Sequence, residues 1–165
     1  MGTAPLIFIS YATVDLGLTA VIKNFLRDAG LSTEDCFVSS LDGAIQYGGN
    51  DLEEMYQAME SSKIFIEVIT PTFLTRPRCL QEVGFMTARK RLADRDELPS
   101  QRWIKILPMV VPPLTHEDIS ETLDRAQAPT LESPEAIHAF TDELFRCLLR
   151  DDRRLSPGQW HTADR

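Results

Sequence analysis

No stretch of this chain approaches the roughly 18 consecutive apolar residues that a membrane-spanning helix needs. Its N-terminus, Met1-Gly-Thr-Ala-Pro5, has neither the charged lead nor the long apolar core of a signal peptide. Gly2 does not make a myristoylation signal, because position 6 is Leu rather than Ser or Thr. Cysteine is scarce: Cys36, Cys79 and Cys147 are far apart, with no Cys-x-x-Cys pair, which fits thiols in a reducing compartment better than a disulfide framework. The three histidines, His116, His138 and His161, lack the spacing of a zinc site. Basic excess is missing too. A formal net charge of -8 argues against nucleic acid as the main partner, since phosphate binding needs a concentrated basic face. The single basic cluster, Arg89-Lys-Arg91 with Arg95, reads as a solvated helix face. No metal, no membrane contact and a cytoplasmic location are the expectations.

What is present suits one domain. The 165 residues suffice for a single substantial core, and 43% hydrophobic with 25% charged residues is an ordinary globular mix. Four apolar runs read as strands: Leu6 to Ser10, Cys36 to Ser39, Ile64 to Ile69 and Ile104 to Val111. Helical patterns alternate with them. Asp15 to Ala29 spaces Leu18, Val21, Ile22, Phe25 and Leu26 helically and ends at Gly30, a natural cap. Asn50 is placed to cap Asp51 to Ser61, whose Leu52, Met55, Tyr56 and Met59 share a face. Leu80 to Ala93 forms a third helix, and Pro134 opens a fourth with Ile137, Phe140, Leu144, Leu148 and Leu149 on its core side. Alternating strands and helices imply a parallel sheet with right-handed crossovers, and Pro129 to Leu131 is a candidate fifth strand. After Arg150 the apolar period stops. Residues 151–165 read as a polar tail or linker, of the kind that leads to a further domain, with Trp160 its only large anchor.

The segment Thr70-Pro-Thr-Phe-Leu-Thr-Arg-Pro-Arg-Cys-Leu-Gln-Glu82 carries one acidic residue from a buried strand into the first turns of a helix. Pro77 suits the first position of that helix. In open α/β sheets chemistry sits outside the carboxyl ends of the strands, where this segment lies. Taken by position alone, Glu82 is also readable as an ordinary helix residue near the favourable end of the dipole. On a helical wheel Cys79, Leu80, Val83, Met86 and Thr87 form the inward stripe with Glu82 at its border, which predicts a reachable cleft-rim carboxylate. Glu67, inside an apolar strand, predicts a structural ion pair with Lys105. Phe85 and Tyr47 are candidate exposed anchors for protein contacts.

Three ordered boxes together resemble the Toll/interleukin-1 receptor (TIR) domain of the bacterial type. They are Ile7-Phe-Ile-Ser-Tyr-Ala-Thr-Val-Asp15, Ser39-Ser-Leu-Asp-Gly-Ala-Ile-Gln-Tyr-Gly-Gly49, and Ile69-Thr-Pro-Thr-Phe-Leu74 followed by Arg78-Cys-Leu-Gln-Glu-Val-Gly84. The resemblance runs over roughly residues 5 to 150, within a domain read as residues 1–150. It implies a flavodoxin-like α/β fold, about five parallel strands with helices on both faces. It also implies cleavage of NAD+ at the nicotinamide–ribose bond, with NAD+ as substrate, no cofactor, and ADP-ribose or a cyclic isomer as product. The family's catalytic glutamate falls on Glu82. Ser10, Tyr11, Ala12, Asp42, Gly43, Arg78 and Cys79 are the implied substrate-binding positions, and the glycine-spaced loop Leu41 to Gly49 is the implied lid. Relatives act when clustered with other TIR protomers, often beside a sensor domain, and bacterial members serve antiphage defence. One departure stands out: enzymatic relatives often carry an aromatic four residues before the glutamate, where this chain has Arg78, whose guanidinium can stack on a purine or pair with a phosphate. A non-catalytic TIR–TIR assembly module is the main alternative. A nucleoside deoxyribosyltransferase fits the loop poorly, and a phosphoacceptor receiver lacks its paired acids after the first strand.

Overall fold

The computed structural model describes residues 4–39, 50–95, 97, 103–119 and 130–150. The strands β1 (Ile7–Ser10), β2 (Cys36–Val38), β3 (Ile64–Ile69) and β4 (Lys105–Val110) form one parallel sheet in the order β2-β1-β3-β4. Four α-helices alternate with them: α1 (Leu16–Asp28), α2 (Asn50–Ser61), α3 (Pro77–Asp94) and α4 (Pro134–Arg150). Where the sequence predicts a fifth strand, at Pro129 to Leu131, the described residues show a parallel bridge between Val110 and Thr130 beside β4, Pro129 lying outside the described residues.

Parallel strands covered on both faces are apolar almost throughout, because neither row of side chains meets water. The alternation along β1 and β3 sorts the core into two halves. Phe8 and Phe65 pack with Met55 and Met59 of α2 and with Cys79, Val83 and Met86 of α3. Ile7, Ile9, Ile64, Ile66 and Val68 pack on the other face with Ile22 and Leu26 of α1 and with Phe140, Leu144 and Leu148 of α4. The Phe8 ring stacks between Phe37 and Phe65 at 5.3 and 5.4 Å, tying β2, β1 and β3 on the α2–α3 side. α1 stops at Gly30, whose φ of 91° is open to glycine at no steric cost.

Several helix faces sit rotated from the sequence reading. Leu80 is 42% exposed rather than inward, and Val21, Leu52, Tyr56, Ile137 and Leu149 also face out. Each lies at the margin of its apolar stripe, and sheet packing covers only the stripe's centre. Phe85 is half-buried and meets the Tyr56 ring at 6.0 Å, so it joins α3 to α2 rather than standing clear.

Two charge assignments are corrected. Arg89 is buried, not solvated: its guanidinium donates to the carbonyls of Met59, of Ser62 at 3.2 Å and of Glu60 at 2.5 Å. It thus satisfies the orphan carbonyls at the end of α2, where a cation also suits the dipole. Burial lowers its pKa from the ordinary value. Lys105 does not reach Glu67. The register sets Lys105 beside Ile64 and Glu67 beside Pro108, and Lys105 Nζ pairs with Glu143 of α4 at 2.6 Å. A strand offset of three residues could not be read from the apolar pattern.

Candidate active site

The carboxyl ends of β1, β2 and β3 converge on one side chain. Ser10 ends β1, Ser39 follows β2, and Thr70 follows β3. Between Thr70 and α3 the chain makes a short 3-10 turn, Phe73–Thr75, and enters α3 with Pro77 in its first turn. Pro77 has no N–H to orphan there, which is why the helix starts at that point. Glu82, five residues further on, projects back over the strand ends.

Glu82 is only 2% exposed. Ser10 Oγ donates to its Oε2, and Ser39 Oγ donates to Oε1 at 2.6 Å. Arg78, one turn earlier in α3, brings Nε to 3.5 Å from Oε1 and donates from Nη2 to Met55 Sδ at 2.6 Å. Its Nε is itself buried, without a hydrogen bond of good geometry. Burial raises the Glu82 pKa above the usual carboxylate value, outweighing the lowering influences of the two serine hydroxyls and of Arg78. A carboxylate held by two hydroxyls beside a guanidinium yet still pushed upward is an arrangement that functional sites often show.

Of the sequence-derived positions, Ser10, Arg78 and Glu82 come together. Glu82 lies deeper than the cleft rim expected for it, because α3 packs closely on β1 and β3 at Cys79, Val83 and Met86. Cys79 is buried beside the site, its Sγ donating to the Tyr11 carbonyl at 3.6 Å. Tyr11 itself turns to the opposite face of the sheet and packs in the α1–α4 half of the core, while Ala12 is buried on the α2–α3 side. Asp42 and Gly43, with the rest of the expected lid, lie outside the described residues.

Ser39 joins the site without being one of the sequence-derived positions. Its signal was available, a hydroxyl at the polar exit of the second strand, matching Ser10 at the exit of the first. The same sheet edge holds another link missed by the sequence reading: Thr70 Oγ1 donates to Asp15 Oδ2 at 2.6 Å and accepts from the Phe73 amide at 3.1 Å, fastening the exit of β3 to the exit of β1. Two surface clefts of about 280 and 350 Å³ run along α1 and β2, lined by residues such as Lys23, Ser32, Cys36 and Phe37 rather than by Glu82. The titratable chemistry lies at the strand ends instead. Among the described residues, no group of three or more His, Cys, Asp or Glu is placed to hold a metal ion, and no helix is long and apolar enough to cross a membrane.

A doubly wound parallel sheet with a buried carboxylate over the exits of its central strands is the class of structure defined so far. The model of the TIR-domain family matches residues 7–118, and the chain belongs to that family. Among solved structures, the TIR domain of the Toll-related receptor TRR-2 from the lower metazoan Hydra magnipapillata is similar. It superposes with a TM-score of 0.62 at 19% identity, covering 87% of this chain and 97% of that one. A likeness at that identity shows the fold. A search of the curated proteins finds no match.

Proposed function

We propose that this TIR domain is an NAD+ glycohydrolase in which Glu82 is the catalytic carboxylate. The observation that carries the reading is the site's electrostatics: one carboxylate, buried at the carboxyl edge of the sheet, with its pKa raised by burial and its two oxygens aimed by hydroxyls from neighbouring strands. Cleaving the nicotinamide–ribose bond builds positive, oxocarbenium-like charge on the ribose, and a desolvated carboxylate stabilises such charge far better than one in water. Nicotinamide leaves as a neutral molecule from a cationic ring, so no strong general acid is needed. One carboxylate suffices, holding the ribose hydroxyls and facing the anomeric carbon. Arg78, on the α3 turn before Glu82, lends a cation for the dinucleotide's phosphates and lowers the carboxyl pKa toward ionisation. Water capturing the ribosyl cation gives ADP-ribose, and a ring nitrogen of the adenine gives a cyclic isomer. Clustering with other TIR protomers is the proposed activating event, a role in antiphage defence its proposed setting, and the cytoplasm its proposed location.

A second reading is favoured by a specific observation. Glu82 is almost wholly covered and satisfied by protein donors, as a structural carboxylate would be. In that case the domain is an assembly module for TIR–TIR contacts. NAD+ consumption by concentrated and bead-clustered protein, with products resolved by chromatography, separates the two. Catalysis by Glu82 predicts turnover that falls by about 10²–10³ or more in Glu82→Ala. No turnover by folded, clustered wild-type protein would select the assembly module.

A further inference from the structure

The Glu82 carboxylate already holds two hydroxyls, one on each oxygen: Ser10 on Oε2 and Ser39 on Oε1 at 2.6 Å. That is the donor pattern a vicinal diol offers a carboxylate, two O–H groups from neighbouring atoms divided between two oxygens. At 2% exposure Glu82 has little open surface for further donors. A ribose that engages this carboxylate must therefore take a place that a serine now fills.

The two serines are not equivalent. Ser10 closes β1 and is wholly buried, in register with Glu67 of β3. Ser39 stands one residue beyond β2, which lies at the edge of the sheet. Its backbone amide donates to the Ile9 carbonyl at 3.0 Å, so the main chain is anchored while the hydroxyl retains one rotatable bond. Turning that bond to another staggered position lifts the hydroxyl from Oε1 without moving the strand.

We infer that Ser39 is an exchangeable positioning residue, its hydroxyl occupying the place of a ribose hydroxyl and giving way to it on binding, while Ser10 stays and fixes the plane of the carboxylate. The inference rests on the reading of Glu82 as a ribose-binding group. It makes Ser39 a competitor of the ligand. Removing its hydroxyl deprives the unliganded carboxylate of a donor but leaves every contact of the bound state in place, so diol ligands bind more tightly.

The test is calorimetric titration of the intact chain with ADP-ribose, alongside pH profiles of NAD+ turnover. Ser39→Ala is expected to bind ADP-ribose roughly threefold to tenfold more tightly, the worth of one exchanged hydrogen bond. Ser39→Thr, which keeps the hydroxyl, stays within about twofold of wild type on the same reasoning. Ser10→Ala binds more weakly. In Ser39→Ala the acidic limb of kcat/KM moves to higher pH, because the free protein has lost a donor to Glu82. The limb of kcat stays where it was, because in the complex the ribose has already replaced Ser39. Should the alanine variant fail to fold, Ser39→Cys, a much weaker donor, carries the same expectation. Equal or weaker binding by the folded variant, or limbs of kcat and kcat/KM that shift together, overturns the exchange. So does an absence of ADP-ribose binding by both proteins. Tighter binding by Ser39→Ala with no NAD+ cleavage by wild-type protein would sink the glycohydrolase reading and leave the exchange standing.

Discussion

Replacing Glu82 by glutamine should stabilise the protein while abolishing NAD+ cleavage. Burial is the leading influence on this carboxyl and raises its pKa above the ordinary 4.5, against Ser10, Ser39 and Arg78. Ionising this group in the folded protein therefore carries a cost. Glutamine keeps the shape and the hydrogen bonds, since one serine can go on donating to the carbonyl oxygen while the other rotates to accept from the carboxamide N–H. The loss is the attraction to Arg78, whose Nε stands 3.5 Å away on a side chain 24% exposed. The Nε is buried but the guanidinium side chain keeps partial contact with water, so the pair contributes about 1 kcal/mol, the upper end for a screened pair. Relief of a desolvated charge contributes about 1–3 kcal/mol, so a net gain of about 1–2 kcal/mol is expected, in the range found when strained active sites are relaxed. For a domain of this size that is a rise in Tm of roughly 3–6 °C. The pH dependence fixes the sign. Because the folded-state pKa is raised, the contribution of Glu82 to wild-type stability is fully present below 4.5 and is lost as pH rises through the folded value. The variant has no such dependence, so its advantage grows as pH rises above 4.5 and closes on acidification toward 4.5, the other carboxyls cancelling in the difference. Thermal melts of both proteins across that range supply the measurement. A variant less stable than wild type at pH 7.5, or an advantage that widens as pH falls, would refute the ranking of burial above hydrogen bonding.

Other outcomes follow from the same contacts. Arg78→Ala removes a lowering influence on Glu82, so the acidic limb of NAD+ turnover should move to higher pH; KM should rise about tenfold if the guanidinium also holds the phosphates, and an unchanged limb would detach Arg78 from the carboxylate. Arg89→Ala leaves three helix-end carbonyls without their donor and should cost about 2–4 kcal/mol by denaturant unfolding; a cost below 0.5 kcal/mol would mean that water substitutes fully. A double-mutant cycle between Lys105 and Glu143 should return about 0.2–1 kcal/mol of coupling and one between Lys105 and Glu67 close to none, and the reverse ranking would contradict the register of β4. Phe65→Ala, at the stacked centre of the α2–α3 half, should cost about 3–5 kcal/mol in the same unfolding assay.

Much of the fold was legible along the chain. The strand-length apolar runs were visible because a parallel strand buried on both faces admits few polar residues. The starts and stops of helices were visible at Pro77, Gly30 and Pro134, where backbone chemistry punctuates locally. Helix faces were less well read. Leu80 and Leu149 match the helical period as well as Val83 and Leu148 do, but the sheet is only wide enough to cover one side of the stripe. The basic run at Arg89 misled for a similar reason: its meaning depended on the end of α2, about thirty residues away in sequence.

Glu82 was recognisable because it is a lone acid between an apolar strand and a proline-started helix, within a segment that resembles a known family. Its environment was not recognisable. Ser10 and Ser39 carry no local mark that sends them to the same carboxylate, 72 and 43 residues away. The sequence by itself determined the alternation of strands and helices, the places where helices begin and end, and the position of the acidic residue, because these depend on neighbours within a turn or a strand. Only the tertiary structure decided that Lys105 meets Glu143, that Arg89 is buried, and that two serines from different strands close on Glu82. Those outcomes depend on register and on the order of strands in the sheet, which bring together groups that no local pattern relates.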